Sequence, residues 1–179
     1  MAEAFGATSR RAANRDGYMT CTSGTKSGQT EFDIEFGDAF ARHIEEFAQT
    51  FAKVLVRYNP DGDAAVNARQ SARLRRLSEY LAGGPSKYMF ELLVPATATQ
   101  LHALGGDPQA YDRRLRPSLM VRAVRELQDA GVEPDVWKVE GLDGPEDDAR
   151  IVETARRHGR FDVGCIVLGR GEREPDVRG

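Results

Sequence analysis

Apolar residues fall into short runs separated by longer amphipathic stretches. FAKVLVRY (Phe51–Tyr58) is a strand pattern closed by the turn residues Asn59, Pro60, Asp61 and Gly62. KYMFELLV (Lys87–Val94) ends at Pro95, DVWKVEGL (Asp135–Leu142) follows, and VGCIVL (Val163–Leu168) runs into Gly169-Arg170-Gly171. YMTCTSGT (Tyr18–Thr25) is a weaker and more polar candidate. The pattern predicts five strands, near 18–25, 51–58, 87–94, 134–141 and 163–168.

Helical spacing fills the intervals. Phe40, Ile44, Phe47 and Phe51 recur at that spacing around a helix over Asp38–Gln49. Within Ala64–Leu81, Val66, Ala72, Leu74, Leu77 and Leu81 make one stripe, and Gly83-Gly84 ends it. Pro117–Ala130 carries Leu119, Val121, Val124 and Leu127, with Gly131 as its stop. A short helix over Ile151–His158 follows the acidic cluster Glu146-Asp147-Asp148, which suits a helix N-terminus. Strands alternating with helices predict a parallel sheet with helices outside it. The stretch between Val94 and Pro117 is too long for an ordinary connection and predicts a functional loop.

Composition narrows the class. With 179 residues, 40% of them hydrophobic, the chain suits one domain around one core. Twenty-five basic and 28 acidic residues are interspersed, giving a net charge of -3. No basic face recruits nucleic acid or an acidic membrane surface. Cys21 and Cys165 lie far apart, with no Cys or His at metal-ligand spacing, so no metal is expected. They read as small buried or half-buried residues of a reducing compartment. Without an apolar leader or a run of 18 apolar residues, the expectation is a soluble, cytoplasmic protein.

Strands of a parallel sheet covered on both faces are apolar, so the charged exceptions carry information. Lys53 and Arg57 share one face of their strand, Glu91 interrupts the next, and Lys138 and Glu140 share a face of the one after. In a barrel such charges fit only the axis-facing side, near the C-terminal mouth. A neighbouring cation and poor solvation favour the free amine of a lysine, which attacks carbonyl carbons, and a nearby glutamate can move the protons. The same residues equally describe a structural ion-pair network at a barrel mouth. His43, His102 and His158 have no partner at triad or metal spacing, and the cluster Asp107, Tyr111, Asp112 and Arg113–Arg116 reads first as a solvated loop, with contact to substrate as the alternative.

The runs FAKVLVRYNP, YMFELLVPAT and PDVWKVEGL resemble three successive strands of the class I tagatose-bisphosphate aldolase family. The segment YDRRLRPSLMVRAVRELQDAGVEPDVWKVEGL is more similar still to the aldolase-like domain found alone or fused behind 5-dehydro-2-deoxygluconokinase in bacterial inositol catabolism. The resemblance runs from about Glu3 to about Gly171. It implies a partial (β/α)8 TIM barrel holding about strands three to seven, with Lys138 as the Schiff-base lysine. Lys53 then matches the second active-site lysine and Glu91 the acid/base glutamate. Lys26 and Ser27 match a motif after the third strand, and Gly169, Arg170 and Gly171 the start of a phosphate cradle. Arg57 and Glu140 join the expected substrate-contacting set through their places on the same strands. The family glutamate before Lys26 is here Thr25.

The activity implied is retro-aldol cleavage of a phosphorylated keto sugar through a lysine imine, with no cofactor. In the inositol setting the substrate is 2-deoxy-5-keto-gluconate 6-phosphate, giving dihydroxyacetone phosphate and malonate semialdehyde. The implied partners are that sugar and a sugar-kinase domain, in cis or in trans; a homo-oligomer stays open. A kinase activity of the chain itself is not expected, because it contains no GxxxxGK[ST] loop. The alternatives are a non-catalytic phosphosugar-binding or kinase-associated domain and a non-functional remnant. Set against the family, the chain is expected to be truncated at both ends, and five strands cannot close an eight-stranded barrel. Little or no aldolase activity is therefore expected of it alone.

Overall fold

The structure, a computed structural model, describes residues 19–25, 31–34, 37, 40–47 and 49–168. The strand patterns become β1 (Cys21–Ser23), β2 (Phe51–Arg57), β3 (Lys87–Leu93), β4 (Val136–Glu140) and β5 (Gly164–Leu168). All four pairings are parallel, and the strand order is β1-β2-β3-β4-β5. The helices are α1 (Phe40–Phe47), α2 (Ala64–Leu81), α3 (Ala98–Ala103), α4 (Pro108–Arg114), α5 (Arg116–Asp129) and α6 (Pro145–Ala155).

Alternation decides which face each strand buries. Val54, Phe90 and Trp137 align across the sheet, as do Val56 and Leu92, and Leu92 aligns with Val139. All six are buried. They join Leu74, Leu77 and Leu81 of α2, Met120, Val124 and Leu127 of α5 and Ile151 of α6 in one core. The ring centroids of Phe90 and Trp137 lie 4.8 Å apart. Burying a side chain of this size contributes roughly 1.5–3 kcal/mol each, which holds the helices to this face. The opposite parity carries Lys53, Leu55 and Arg57 on β2, Met89 and Glu91 on β3, and Val136, Lys138 and Glu140 on β4.

Local chemistry sets the ends of the elements. The Asp63 carboxylate caps α2 by accepting from Ala65 N at 2.8 Å and Val66 N at 3.0 Å. Gly131, with φ of 85°, makes the left-handed turn that stops the chain after α5.

Some expectations need correction. The stretch between Val94 and Pro117 is not an open loop: it folds into α3, with a capping box between Thr97 and Gln100, and into α4, capped by Asp107. The last helix starts six residues earlier than Ile151, placing Glu146, Asp147 and Asp148 inside its first turn. His158 lies beyond that helix, with φ of 57°. Phe51 belongs to β2 and not to the helical stripe before it. β1 is shorter than Tyr18–Thr25, because its polar residues hand pairing to a side chain: Thr25 Oγ1 accepts from Leu55 N at 2.7 Å and donates to Leu55 O at 3.3 Å. Cys21 is exposed, and only Cys165 is half-buried. Among the described residues, no helix is long and apolar enough to cross a membrane.

Candidate active site

Three charged side chains meet on the sheet face opposite the core. Leu55, Glu91, Lys138 and Ile166 are successive register partners across β2, β3, β4 and β5. Lys53 sits one pleat nearer the N-terminal ends, level with Met89, and its long side chain reaches forward to Glu91. Glu91 Oε2 forms an ion pair with Lys53 Nζ and lies 3.4 Å from Lys138 Nζ. The Glu91 side chain is only 6% exposed, whereas those of Lys53 and Lys138 keep 28% and 22% of their surface. One buried carboxylate therefore holds two half-buried ammonium groups. A carboxylate in that position is stable only with such partners, because desolvation of an unpaired charge costs several kcal/mol.

One pleat further along, the two other expected residues behave differently. Glu140 is not free to meet a ligand. Its Oε2 accepts from the backbone N–H of Val94 at 3.0 Å, and its Oε1 lies 3.6 Å from Nη1 of Arg116. Arg116 also pairs with Asp112 and stands over the ring of Tyr111, 5.5 Å from its centroid. The Tyr111 hydroxyl donates to Val94 O at 2.8 Å, and burial pushes its pKa up to about 12 although Arg116 pulls it down. Side chains thus satisfy both backbone groups of Val94, and Glu140 acts as a clamp on the end of β3. Of the cluster expected to be a solvated loop, Tyr111, Asp112 and Arg116 form this clamp, with the Arg116 side chain only 12% exposed, whereas Asp107, Arg113 and Arg114 are exposed. The clamp's sequence signal was the four-residue spacing of the opposite charges Asp112 and Arg116, beside the aromatic Tyr111.

Arg57 is exposed at the end of β2, and its side chain makes no hydrogen bond or ion pair with any described residue. Thr25, where the resembled family has glutamate, uses its hydroxyl to pair with Leu55, so no carboxylate from that position joins the cluster. Lys26, Ser27, Gly169, Arg170 and Gly171 lie outside the described residues. Among the described residues no group of three His, Cys, Asp or Glu side chains could hold a metal ion. Chemically, the arrangement offers two primary amines, one carboxylate between them and one guanidinium with no partner among the described residues.

The family model described as an uncharacterized protein conserved in bacteria (DUF2090) matches residues 1–178, and none of the curated proteins matches the chain. Because that match spans nearly the whole sequence, the chain belongs to the DUF2090 family.

Proposed function

We propose that this face is the site of a class I aldolase-type carbon–carbon lyase acting on a phosphorylated keto sugar, 2-deoxy-5-keto-gluconate 6-phosphate or a close analogue. The observation that carries the reading is the sharing of Glu91 Oε2 between Lys53 and Lys138 on one side of a parallel sheet. Its setting supports a barrel wall. The strand order is sequential, without the reversal that creates a switch point in doubly wound sheets, and among the described residues the helical core lies on one side. The other side then corresponds to a barrel axis, where imine-forming lysines of such enzymes project.

The chemistry follows from the groups present. The Lys138 amine adds to the ketone carbon, and loss of water gives an iminium ion. Glu91 takes the hydroxyl proton of the departing aldehyde carbon as the carbon–carbon bond breaks, and the bonding electrons pass to the iminium nitrogen. Protonation of the resulting enamine and addition of water release the second product and restore the amine. Lys53, held on the same carboxylate, keeps a second positive charge beside the reacting amine.

Trapping with sodium borohydride in the presence of dihydroxyacetone phosphate tests this. The expected result is one reduced adduct on Lys138, read by peptide mass, and none in Lys138→Ala. Both lysines keep about a quarter of their surface in water, so labelling of this chain is expected to be slow and turnover small. The competing reading, a phosphosugar-binding or kinase-associated domain without chemistry, is favoured by the same shared carboxylate, since such pairs also serve as structural networks. Failure of Lys138 to trap any phosphorylated ketone would decide for that reading.

A further inference from the structure

Among the described residues, the charges on this face do not balance. Lys53 and Lys138 share a single carboxylate, so the trio carries an excess of one positive charge. Arg57 adds another on the same face of β2, and no described side chain neutralises it. The other carboxylate of the face, Glu140, is committed to Val94 N–H and Arg116. An exposed guanidinium with no partner among the described residues, beside a positively charged cluster, lowers the free energy of any anion that arrives there. Its planar fork matches carboxylate and phosphate oxygens.

We propose that Arg57 is the anion-recognition residue of this site. It takes a carboxylate or phosphate group borne by the same small molecule whose carbonyl meets Lys138. Register supports one ligand spanning both groups. Arg57 lies one pleat beyond Leu55, the residue level with Glu91 and Lys138, and two strands away from Lys138. At about 3.3 Å per residue and about 4.8 Å per strand, the two Cα atoms lie roughly 12 Å apart. Two long side chains rising from one face across that span bracket a short carbon chain. The ligand class is therefore an open-chain hydroxyketone whose anionic group sits several atoms from the carbonyl. This assignment rests on the aldolase reading for the place of the carbonyl, but not for the place of the anion.

Two measurements on the full chain separate those dependencies. The first compares borohydride labelling of Lys138 with dihydroxyacetone phosphate and with neutral dihydroxyacetone. Labelling is expected to favour the phosphate by about tenfold, the worth of one charge-assisted hydrogen bond. The preference should collapse toward unity in Arg57→Gln and return in part in Arg57→Lys. Arg125→Gln, a change on the exposed side of α5, removes the same charge as a control. The second measures protection of the fold against heat by inorganic phosphate and by malonate; whichever protects more identifies the preferred anion. That protection is expected to be lost in Arg57→Gln and kept in Arg125→Gln. If Lys138 is labelled and Arg57→Gln keeps the full phosphate preference, the Arg57 assignment is overturned while the aldolase reading survives. If neither ketone labels Lys138 but anion protection still depends on Arg57, the aldolase reading falls and the anion site stands. If anion protection is the same in Arg57→Gln, or neither anion protects, the assignment falls whatever Lys138 does.

Discussion

Glu91 is the residue on which the cluster depends. Its carboxylate is buried, and its Oε2 is shared by two lysines that keep part of their surface in water. Replacing it by glutamine removes one negative charge and leaves two cations facing each other. Loss of a partner from a fully buried pair costs roughly 3–5 kcal/mol. Because both lysines are partly solvated, Glu91→Gln is expected to cost about 2 kcal/mol. Urea denaturation measures it. In a double-mutant cycle, Glu91→Gln and Lys53→Met should be non-additive, with the pair less destabilised than the sum of the single changes. Additive losses would show that the lysine and the carboxylate do not interact. Lys53, Glu91 and Lys138 were legible in the sequence, since a charge inside an apolar strand needs a cavity or a partner. The sharing of one oxygen between two amines was not, because it depends on strand register and on Lys53 reaching across one pleat.

The end of β3 shows how elements constrain the site. Val94 is fully buried, yet it has no strand partner for its N–H and receives one from the Glu140 side chain. Glu140 is oriented by Arg116 at the start of α5, and Arg116 by Asp112 of α4. The second short helix, α4, and the first residue of α5 therefore help fasten the strand that carries Glu91 to the strand that carries Lys138. Glu140→Ala is expected to cost about 1–3 kcal/mol, since it leaves the buried N–H of Val94 without its acceptor and leaves Arg116 with Asp112 as its ion-pair partner. Urea denaturation again measures the loss. A ligand-binding role would instead leave stability unchanged and weaken only binding of the ketone. The position of Glu140 on the strand said nothing of this: residues 138 and 140 share a face, but their partners come from elements remote in sequence.

For the whole molecule, the core sets the response to pH. Tyr58 and Tyr111 are each pushed up to about 12 from an ordinary 10.0, in both cases first by burial, and Tyr58 also donates to Glu126. Burial raises Tyr88 as well. A raised value means that the fold prefers the neutral phenol. The associated stability is fully present below about pH 10 and is lost as pH rises through about 12. Denaturation midpoints should therefore fall over that alkaline window as ionised-tyrosine absorbance rises, and the fall should be shallower in Tyr58→Phe and Tyr111→Phe. A flat midpoint across the window would contradict it. At the acid end, Arg69 and Arg73 hold Glu31 at about 2, below its ordinary 4.5, so its contribution is present above about 4.5 and is lost as pH falls toward 2.

The sequence by itself determined the alternation of strands and helices, the parallel sheet and the face each strand buries. These follow from local periodicity: a two-residue repeat of apolar positions in β2, β3 and β4, and a helical stripe in α2 and α5. Periodicity also singled out Lys53, Glu91 and Lys138, because a charge breaks the repeat where it stands. Only the tertiary structure decided what each charge meets. Glu91 became the shared partner of two amines, Glu140 became a strand clamp, and Arg57 kept a guanidinium with no partner among the described residues on the same face. Those outcomes depend on distances of a few ångströms between residues some 20 to 47 positions apart in the chain. Hydrogen bonds and ion pairs are too short-ranged for a pattern along the chain to encode which of several candidate partners will be reached.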